Sequence, residues 1–405
     1  MKYRGDITMK IGFVSTWFER GAAYVTKSYI DVLKNKHDVY VYARGGEENA
    51  KNDPKWNLSY VTWGLNLLGT TINKNHFFNW VKESRLEIIF FNEQRDYKIL
   101  ALLKKEFPNI KIGSYIDYYK ENEIENFWIY DFLICNTKRH FSVFNEHPQC
   151  YYVPWGTNID LFKPSFEHDG QELIFFHSVG MSLRKGTDIL LKVFIEKELY
   201  KYSKLIIHSQ LDFEKHFGYS CHQLKDFNIE LVEKTVGAPG LYSVGDVYVY
   251  PTTLDGLGLT IYEALSCGLP VITTDNAPMN EIVNSEIGFL VEVEKYYSRS
   301  DGYYWPLSIC RFDSLYEGMK YFINNSKTLK SLKENARLFA ELNLDWNKNS
   351  QTVNEIFEKT EIITNQSEAD RILKMHRKEI VLKTRETIYS LIPDRLVNLL
   401  RMSKL

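Results

Sequence analysis

The chain of 405 residues is 44% hydrophobic, enough to bury a large core and, by the usual size of domains, to divide into two or three units. Its 50 basic and 52 acidic side chains leave a formal charge of -2, so no chain-wide field favours a nucleic acid partner. The longest apolar runs, 247–251 and 269–272, are too short to span a bilayer, and no apolar leader stands at the N-terminus, so a cytoplasmic location is expected.

In chain order, Lys10–Ser15 reads as a short apolar strand, followed by a loop with Arg20-Gly21 and a helix from about Ala23 to Leu33. Residues 37–42 form the next strand, which makes the opening a β-loop-α-β unit of the kind that begins a parallel, doubly wound sheet. Further strands are expected at 87–92, 111–116 and 132–136, with helices at 95–106 and 137–145. Residues 152–164 are rich in turn formers, end on a proline and read as a connector. From Glu172 the alternation restarts, with strands at 172–178, 204–208, 229–232, 246–250 and 270–274 and helices at 186–196 and 260–267. Two successive α/β units imply two similar domains facing each other. Beyond Ser314 the pattern is helical, through 314–325, 327–341 and 346–359. The five cysteines (Cys135, Cys150, Cys221, Cys267, Cys310) make no CxxC pair and no Cys/His set with zinc spacing, so reduced and mostly buried thiols are expected.

The densest chemistry lies in Tyr248-Val-Tyr-Pro-Thr-Thr-Leu-Asp255-Gly-Leu-Gly-Leu-Thr-Ile-Tyr-Glu263-Ala-Leu-Ser-Cys-Gly268-Leu-Pro270. It reads as a strand, a glycine loop and a short helix closed by Gly268. Gly256 and Gly258 let the backbone approach a ligand, and the amides of the following helix offer partial positive charge to it. Asp255 in the loop and Glu263 one turn into the helix place two carboxylates where they border one pocket, and carboxylates accept hydrogen bonds from paired hydroxyls. A second segment, Phe176-His-Ser-Val-Gly180-Met-Ser-Leu-Arg184-Lys185-Gly186, is a strand end, a loop with adjacent cations and a helix start. A guanidinium fork beside an ammonium suits a diphosphate.

In these segments the sequence resembles the retaining glycosyltransferases of family 4, over nearly the whole chain up to about residue 360. The resemblance implies the GT-B fold, two Rossmann-like domains with a cleft between them and a helical C-terminal segment. It implies an N-terminal acceptor-side domain at 1–165, a nucleotide-sugar domain at 166–345, and helices at 346–405 crossing back to the N-domain with a basic tail. In that family an acid, seven residues and a glutamate follow a strand ending in proline, and Asp255 and Glu263 stand at that spacing. The first acid and the amides after it would hold the donor hexose, through Asp255, Gly256, Leu257, Gly258 and Leu259, while Glu263 would hold the ribose hydroxyls. Arg184 and Lys185, with Gly180 before them, would hold the diphosphate. The family's first acid is usually glutamate, and the shorter Asp255 puts sugar identity or competence in question. Gly21 stands where the family has a glycine-rich loop near the donor phosphates.

Glu93 and Asp117 follow strand ends and are acceptor-side candidates, Asp117 also a catalytic one beside Arg184, Lys185 and Asp255; both are equally at home as turn or cap acids. The family often has a His-Asp pair where Ile116-Asp117 stands here. No Asp-x-Asp triplet follows a strand, so no metal is expected, and no cofactor beyond the UDP- or GDP-linked sugar that serves as substrate. The implied reaction is hexosyl transfer to a saccharide or lipid-linked saccharide with retention, in cell-surface polysaccharide synthesis; a UDP-sugar epimerase on the same fold, or a silent sugar-nucleotide-binding protein, are the alternatives. The tail carries nine Lys/Arg against three acids over 371–405, a net +6. Its apolar residues (Ile372, Leu373, Ile380, Val381, Ile388, Leu391, Ile392, Leu396, Val397, Leu399, Leu400) recur at near-helical spacing, which fits either packing on the protein or peripheral contact with an anionic membrane through 367–405.

Overall fold

The computed structural model describes residues 8–44, 50–65, 71–92, 94–165, 172–363 and 366–390. Seven strands make the first sheet: β1 (Lys10–Ser15), β2 (Asp38–Ala43), β3 (Val61–Trp63), β4 (Ile88–Asn92), β5 (Lys111–Ile116), β6 (Phe132–Cys135) and β7 (Cys150–Tyr152), in the order β3-β2-β1-β4-β5-β6-β7. The helices between them are α1 (Gly21–Leu33), α2 (Lys74–Ser84), α3 (Tyr97–Glu106) and α4 (Lys138–Phe144). The second sheet contains β8 (Leu173–Gly180), β9 (Ser203–Ser209), β10 (Ile229–Glu233), β11 (Val247–Tyr250), β12 (Val271–Thr274) and β13 (Gly288–Val291), in the order β10-β9-β8-β11-β12-β13. Its strands pair in parallel. Both sheets thus start in the middle, add strands to one side and then reverse to the other, the doubly wound arrangement in which ligands bind where the order reverses.

Parallel strands covered on both faces read as near-continuous apolar runs, and the central strands do. Phe175, Leu205, Ile207, Val247, Val249 and Ile272 are fully buried against Leu190, Val193 and Phe194 of α5 (Thr187–Glu196). The short helices α6 (Phe213–Phe217) and α7 (Cys221–Lys225) precede β10, and α8 (Leu259–Ser266) joins β11 to β12. After β13 the chain makes an antiparallel hairpin, β14 (Val293–Tyr297) and β15 (Leu307–Cys310), before α9 (Phe312–Asn324), α10 (Leu329–Asn343), α11 (Trp346–Asn349), α12 (Val353–Lys359) and α13 (Gln366–Ser390).

Two compact units result, one of Met1–Ser114, Glu123–Phe132 and Thr360–Leu405, the other of Tyr115–Asn122 and Leu133–Lys359. In the first unit α13 lies on α3, with Ala369 and Ile372 buried and Asp370 paired to Lys105 at 2.5 Å. Farther along the helix Met375, Ile380, Val381 and Leu382 are exposed. The tail residues Leu391, Ile392, Leu396, Val397, Leu399 and Leu400 lie outside the described residues, as does the Ile388 side chain. No helix among the described residues is long and apolar enough to cross a membrane.

The element boundaries expected from sequence agree with the structure to within about two residues for most strands and helices, with three differences. The helix expected at 346–359 is two helices, because after α11 the main chain tightens into turns in which the Gln351 and Val353 amides bond carbonyls three residues back, at 3.3 and 2.9 Å. The connector expected at 152–164 begins one residue inside β7, which pairs with β6. No element is expected from sequence at β3, α2, α6, α7, β13 or the β14–β15 hairpin: α2 does bury one face, Phe77, Phe78, Trp80 and Val81, whereas β14 is exposed along most of its length and the nine residues that link it to β15 include only one glycine.

Asp131 ties the C-terminal segment into the first unit. Its fully buried carboxylate accepts from Lys104 Nζ at 2.5 Å and from the Ile112 and Ile363 amides at 2.7 and 2.8 Å. Asp131→Ala leaves a buried ammonium without its counter-ion and two amides without acceptors, and should cost about 3–5 kcal/mol in urea denaturation. A loss within about 0.5 kcal/mol, the size of an ordinary surface change, would contradict this role.

Candidate functional site: a lysine–tyrosine–aspartate network at the reversal of the second sheet

Two loops leave the C-terminal ends of the neighbouring strands β8 and β11, where the second sheet reverses its order. The first turns at Gly180 (φ +57) and again at Gly186 (φ +72). A Cβ at Gly186 would stand 2.0 Å from the Pro251 carbonyl oxygen, so only glycine permits the approach of the two loops. They are then stitched together: the Arg184 carbonyl accepts from the Thr253 amide at 2.8 Å and from the Thr252 and Thr253 hydroxyls at 3.0 and 3.2 Å.

This stitching puts Lys185 beside Asp255. Lys185 Nζ donates to Asp255 Oδ2 at 2.6 Å and to the Tyr250 hydroxyl, which itself donates to Asp255. Asp255 Oδ1 accepts from the Gly258 amide at 3.3 Å, and Gly258 (φ +76) opens α8, with Leu259 its first residue. Burial pushes the Asp255 carboxyl up, but the Lys185 charge and the hydrogen bonds from Lys185, Tyr250 and Gly258 outweigh it and hold the group at about 2. The Tyr250 phenol is pushed up by burial and by the Asp255 charge, so it stays a donor. Gly180, Lys185, Gly256, Leu257 and Gly258 all lie along these two loops, with Leu257 buried. The Arg184 side chain is exposed and bonds none of the described residues.

Glu263 is held in a set of its own rather than with Asp255. Tyr242 donates to its Oε2 at 2.6 Å, and a ladder of rings joins the two carboxylates: Tyr242 meets Tyr248 edge-on at 5.7 Å, and Tyr248 stacks on Tyr250 at 5.5 Å. Burial pushes the Glu263 carboxyl up to about 7, against the lowering effect of Tyr242.

Asp117 follows β5 and reaches Gly256, where a Cβ would stand 2.0 Å from its Oδ1. The histidine that the sequence does not supply beside Asp117 comes from α4: His140 Nε2 lies 3.9 Å from Asp117 Oδ1, and its Nδ1 faces the Tyr119 hydroxyl at 3.1 Å. Burial, reinforced by the neighbouring Arg139 charge, lowers His140 well below the ordinary histidine range, so the ring is neutral. Arg139 donates to the Asp255 carbonyl at 2.7 Å and to that of Ala277. The N-terminus of α4 is fixed by Glu281, whose carboxylate takes the Lys138 and Arg139 amides at 2.6 and 2.8 Å. Gly21 belongs to the first unit, where it opens α1 instead of lying in a loop, and Glu93 lies outside the described residues.

The structure therefore brings Asp117, Lys185, Asp255 and the Gly256–Gly258 turn into one neighbourhood, and adds Tyr250, Tyr242, Arg139 and His140, which sequence reasoning missed. Tyr250 was within reach of a strand-phase argument, five residues before Asp255 on the strand that leads to it. The other three make contacts 21 to 142 positions away, and no local pattern marks them. Chemically, the loops offer one lysine, a helix N-terminus and two carboxylates, a set for an anion and a hydroxylated ring together. Among the described residues no group of three His, Cys, Asp or Glu is placed to hold a metal ion.

Comparison with known proteins gives this geometry a context. Residues 171–299 match the family described as Glycosyl transferases group 1. The uncharacterized glycosyltransferase 335 of Sulfolobus islandicus rod-shaped virus 1 is 27% identical over 158 residues, 36% of this chain and 45% of that protein, so the similarity spans less than half the length of that relative. Among solved structures, a glycosyltransferase from Rickettsia africae matches with a TM-score of 0.68 at 15% identity, over 87% of this chain and 99% of its own. HepE from Anabaena, in complex with UDP and glucose, matches with a TM-score of 0.65 at 14% identity, over 87% and 100%. The fold is GT-B.

A carboxyl raised in the folded state keeps its proton there longer than in the unfolded chain. Its contribution to stability is complete below the ordinary value of 4.5 and is lost as pH rises to about 7. Unfolding free energy measured across that window should fall more steeply with pH in the wild type than in Glu263→Gln, which cannot ionise. Parallel profiles for the two proteins would place Glu263 in an ordinary environment.

Proposed function

We propose that the chain is a glycosyltransferase that moves a hexosyl unit from a UDP- or GDP-sugar to a saccharide or lipid-linked saccharide, with retention and without a metal ion, in the synthesis of a surface polysaccharide. The observation that supports this most is the Lys185–Tyr250–Asp255 network at the strand reversal, continuous with the Gly256–Gly258 turn and the first amides of α8. Lys185 and those amides receive the diphosphate, with the exposed Arg184 reaching it from the same loop. Asp255 and the turn amides hold the hexose, and Glu263 accepts from the ribose hydroxyls. In the free protein Asp255 neutralises Lys185, so no ammonium is left uncompensated before donor binds.

The chemistry needs no general base. As the bond from C1 of the hexose to the phosphate oxygen breaks, the acceptor hydroxyl attacks from the same face and its proton passes to the departing oxygen. The protein's part is to stabilise the charge that grows on the diphosphate. Asp117 and the neutral His140 sit on the acceptor side of that centre. Membrane contact through 367–405 would bring a lipid-linked acceptor close, with the exposed cations of α13 facing anionic headgroups.

Incubation with a panel of UDP- and GDP-sugars, with release of free nucleotide as readout, tests the reading directly. Turnover of one donor is expected, undiminished in EDTA, and more than about tenfold slower in Lys185→Ala and in Arg184→Ala. Interconversion of the sugar without nucleotide release would establish an epimerase, binding without turnover a silent binding protein, and restoration by manganese after chelation a metal-dependent enzyme.

A further inference from the structure

The β14–β15 hairpin carries a loop unusually rich in rings, Tyr303-Tyr304-Trp305-Pro306, and the loop is firmly seated. Tyr303 stacks on Tyr118 at 5.0 Å, Arg299 lies over both rings at 5.2 and 5.6 Å, and Asp301 accepts from Arg299 at 2.6 Å and from the Tyr118 hydroxyl at 2.9 Å. The Trp305 indole N–H donates to the Tyr119 hydroxyl at 2.7 Å, and the Tyr303 hydroxyl donates to the Asp117 carbonyl at 3.1 Å. This anchoring fixes the ring planes before any ligand arrives.

Beneath the hairpin is a cavity of about 260 Å³, lined by Arg139, Asn276, Tyr296, Trp305 and Pro306. Its walls are mostly ring and aliphatic surface with a few polar atoms, the usual make-up of a small-molecule site, and its size is near the lower end of the range of roughly 300–1,000 Å³ for such sites. Two polar side chains lie along it. Arg139, 95% buried, has its terminal nitrogens committed to the Asp255 and Ala277 carbonyls, but its buried Nε–H has no acceptor among the described residues. Asn276 gives its amide N–H to Ser308 at 3.1 Å, and its Oδ1 accepts from none of the described residues. The Arg139 Nε–H is sealed within the protein, so the polar contact the cavity itself offers is Asn276 Oδ1.

From this geometry we infer that the cavity is a saccharide subsite that takes one pyranose ring of the acceptor. A pyranose offers C–H groups to Tyr296 and Trp305 and a hydroxyl to Asn276 Oδ1, which is the combination of surfaces the cavity presents. The volume suits one ring rather than a chain. Arg139 also joins the subsite to the chemistry, because the same guanidinium holds the main chain at Asp255. The identification of the ring as an acceptor rests on the transferase reading; the site itself does not.

Saturation-transfer NMR with methyl glycosides of glucose, galactose, mannose and N-acetylglucosamine, in the absence and then the presence of saturating UDP, tests it. At least one glycoside should receive saturation from the wild type, and its signal should survive UDP. Tyr296 is 54% exposed, so Tyr296→Ala should fold normally, as its melting curve will report, and should lower the signal by about fivefold, whereas Tyr296→Phe keeps the ring and the response. Asn276→Ala should lower it too. No saturation of any glycoside, an unchanged signal in Tyr296→Ala, or loss of the signal on adding UDP would overturn the subsite, the last because it would make the cavity a nucleotide pocket. Failure of both UDP and GDP to bind the wild type in calorimetry would instead remove the transferase reading and leave a glycoside response standing.

Discussion

The arrangement of the second unit depends on an absent side chain at residue 186. With φ at +72 and the Pro251 carbonyl 2.0 Å from where a Cβ would be, Gly186 lets the loop after β8 come into backbone contact with the loop after β11. The Arg184 carbonyl can then bond three donors of Thr252 and Thr253, and Lys185 can reach Asp255 and Tyr250. Without that approach the lysine would be a solvated surface charge, and the aspartate a half-buried carboxylate lacking its main counter-ion. One backbone contact thus converts two unremarkable loop residues into an electrostatic unit.

Around this unit the electrostatics divide by what each carboxylate can bond. Asp255 has a lysine, a phenol and an amide, and is held at about 2; Glu263 has one phenol and is raised to about 7. Two acids eight positions apart therefore differ in charge state near neutrality, the first a fixed anion and the second poised to titrate. The aromatic ladder Tyr242–Tyr248–Tyr250 runs between them, and its two end rings supply hydroxyls that the carboxylates accept from. The high tyrosine content of the chain, which carries no meaning residue by residue in the sequence, here has a specific structural use.

Loops that continue from strand ends complete the neighbourhood. The Tyr115–Asn122 stretch brings Asp117 to Gly256 and Tyr119 to His140, and the β14–β15 loop stacks on it through Tyr303. Arg139 then ties the start of α4 to the Asp255 main chain, with Glu281 holding the amides of that same turn. A charged side chain 95% buried is tolerated because two carbonyls take its terminal nitrogens and the Trp305 ring lies against it at 5.3 Å.

The sequence by itself determined the alternation of strands and helices, the restart near residue 172, and the two loop segments that hold Arg184, Lys185, Asp255 and Glu263. Those features are local: period, turn residues and helix-terminal glycines are written within a dozen residues of one another. The tertiary structure alone decided that Glu263 is bonded by Tyr242 and not shared with Asp255, that a histidine stands by Asp117 although none precedes it, and that Arg139 and the hairpin rings close a cavity beside Asp255. Each of these is a contact between residues far apart in the chain, fixed by which strand ends become neighbours when the sheet reverses. The position of the β14–β15 loop was equally invisible, because its residues are ordered by stacking on Tyr118 and Tyr119, and stacking leaves no period in a sequence.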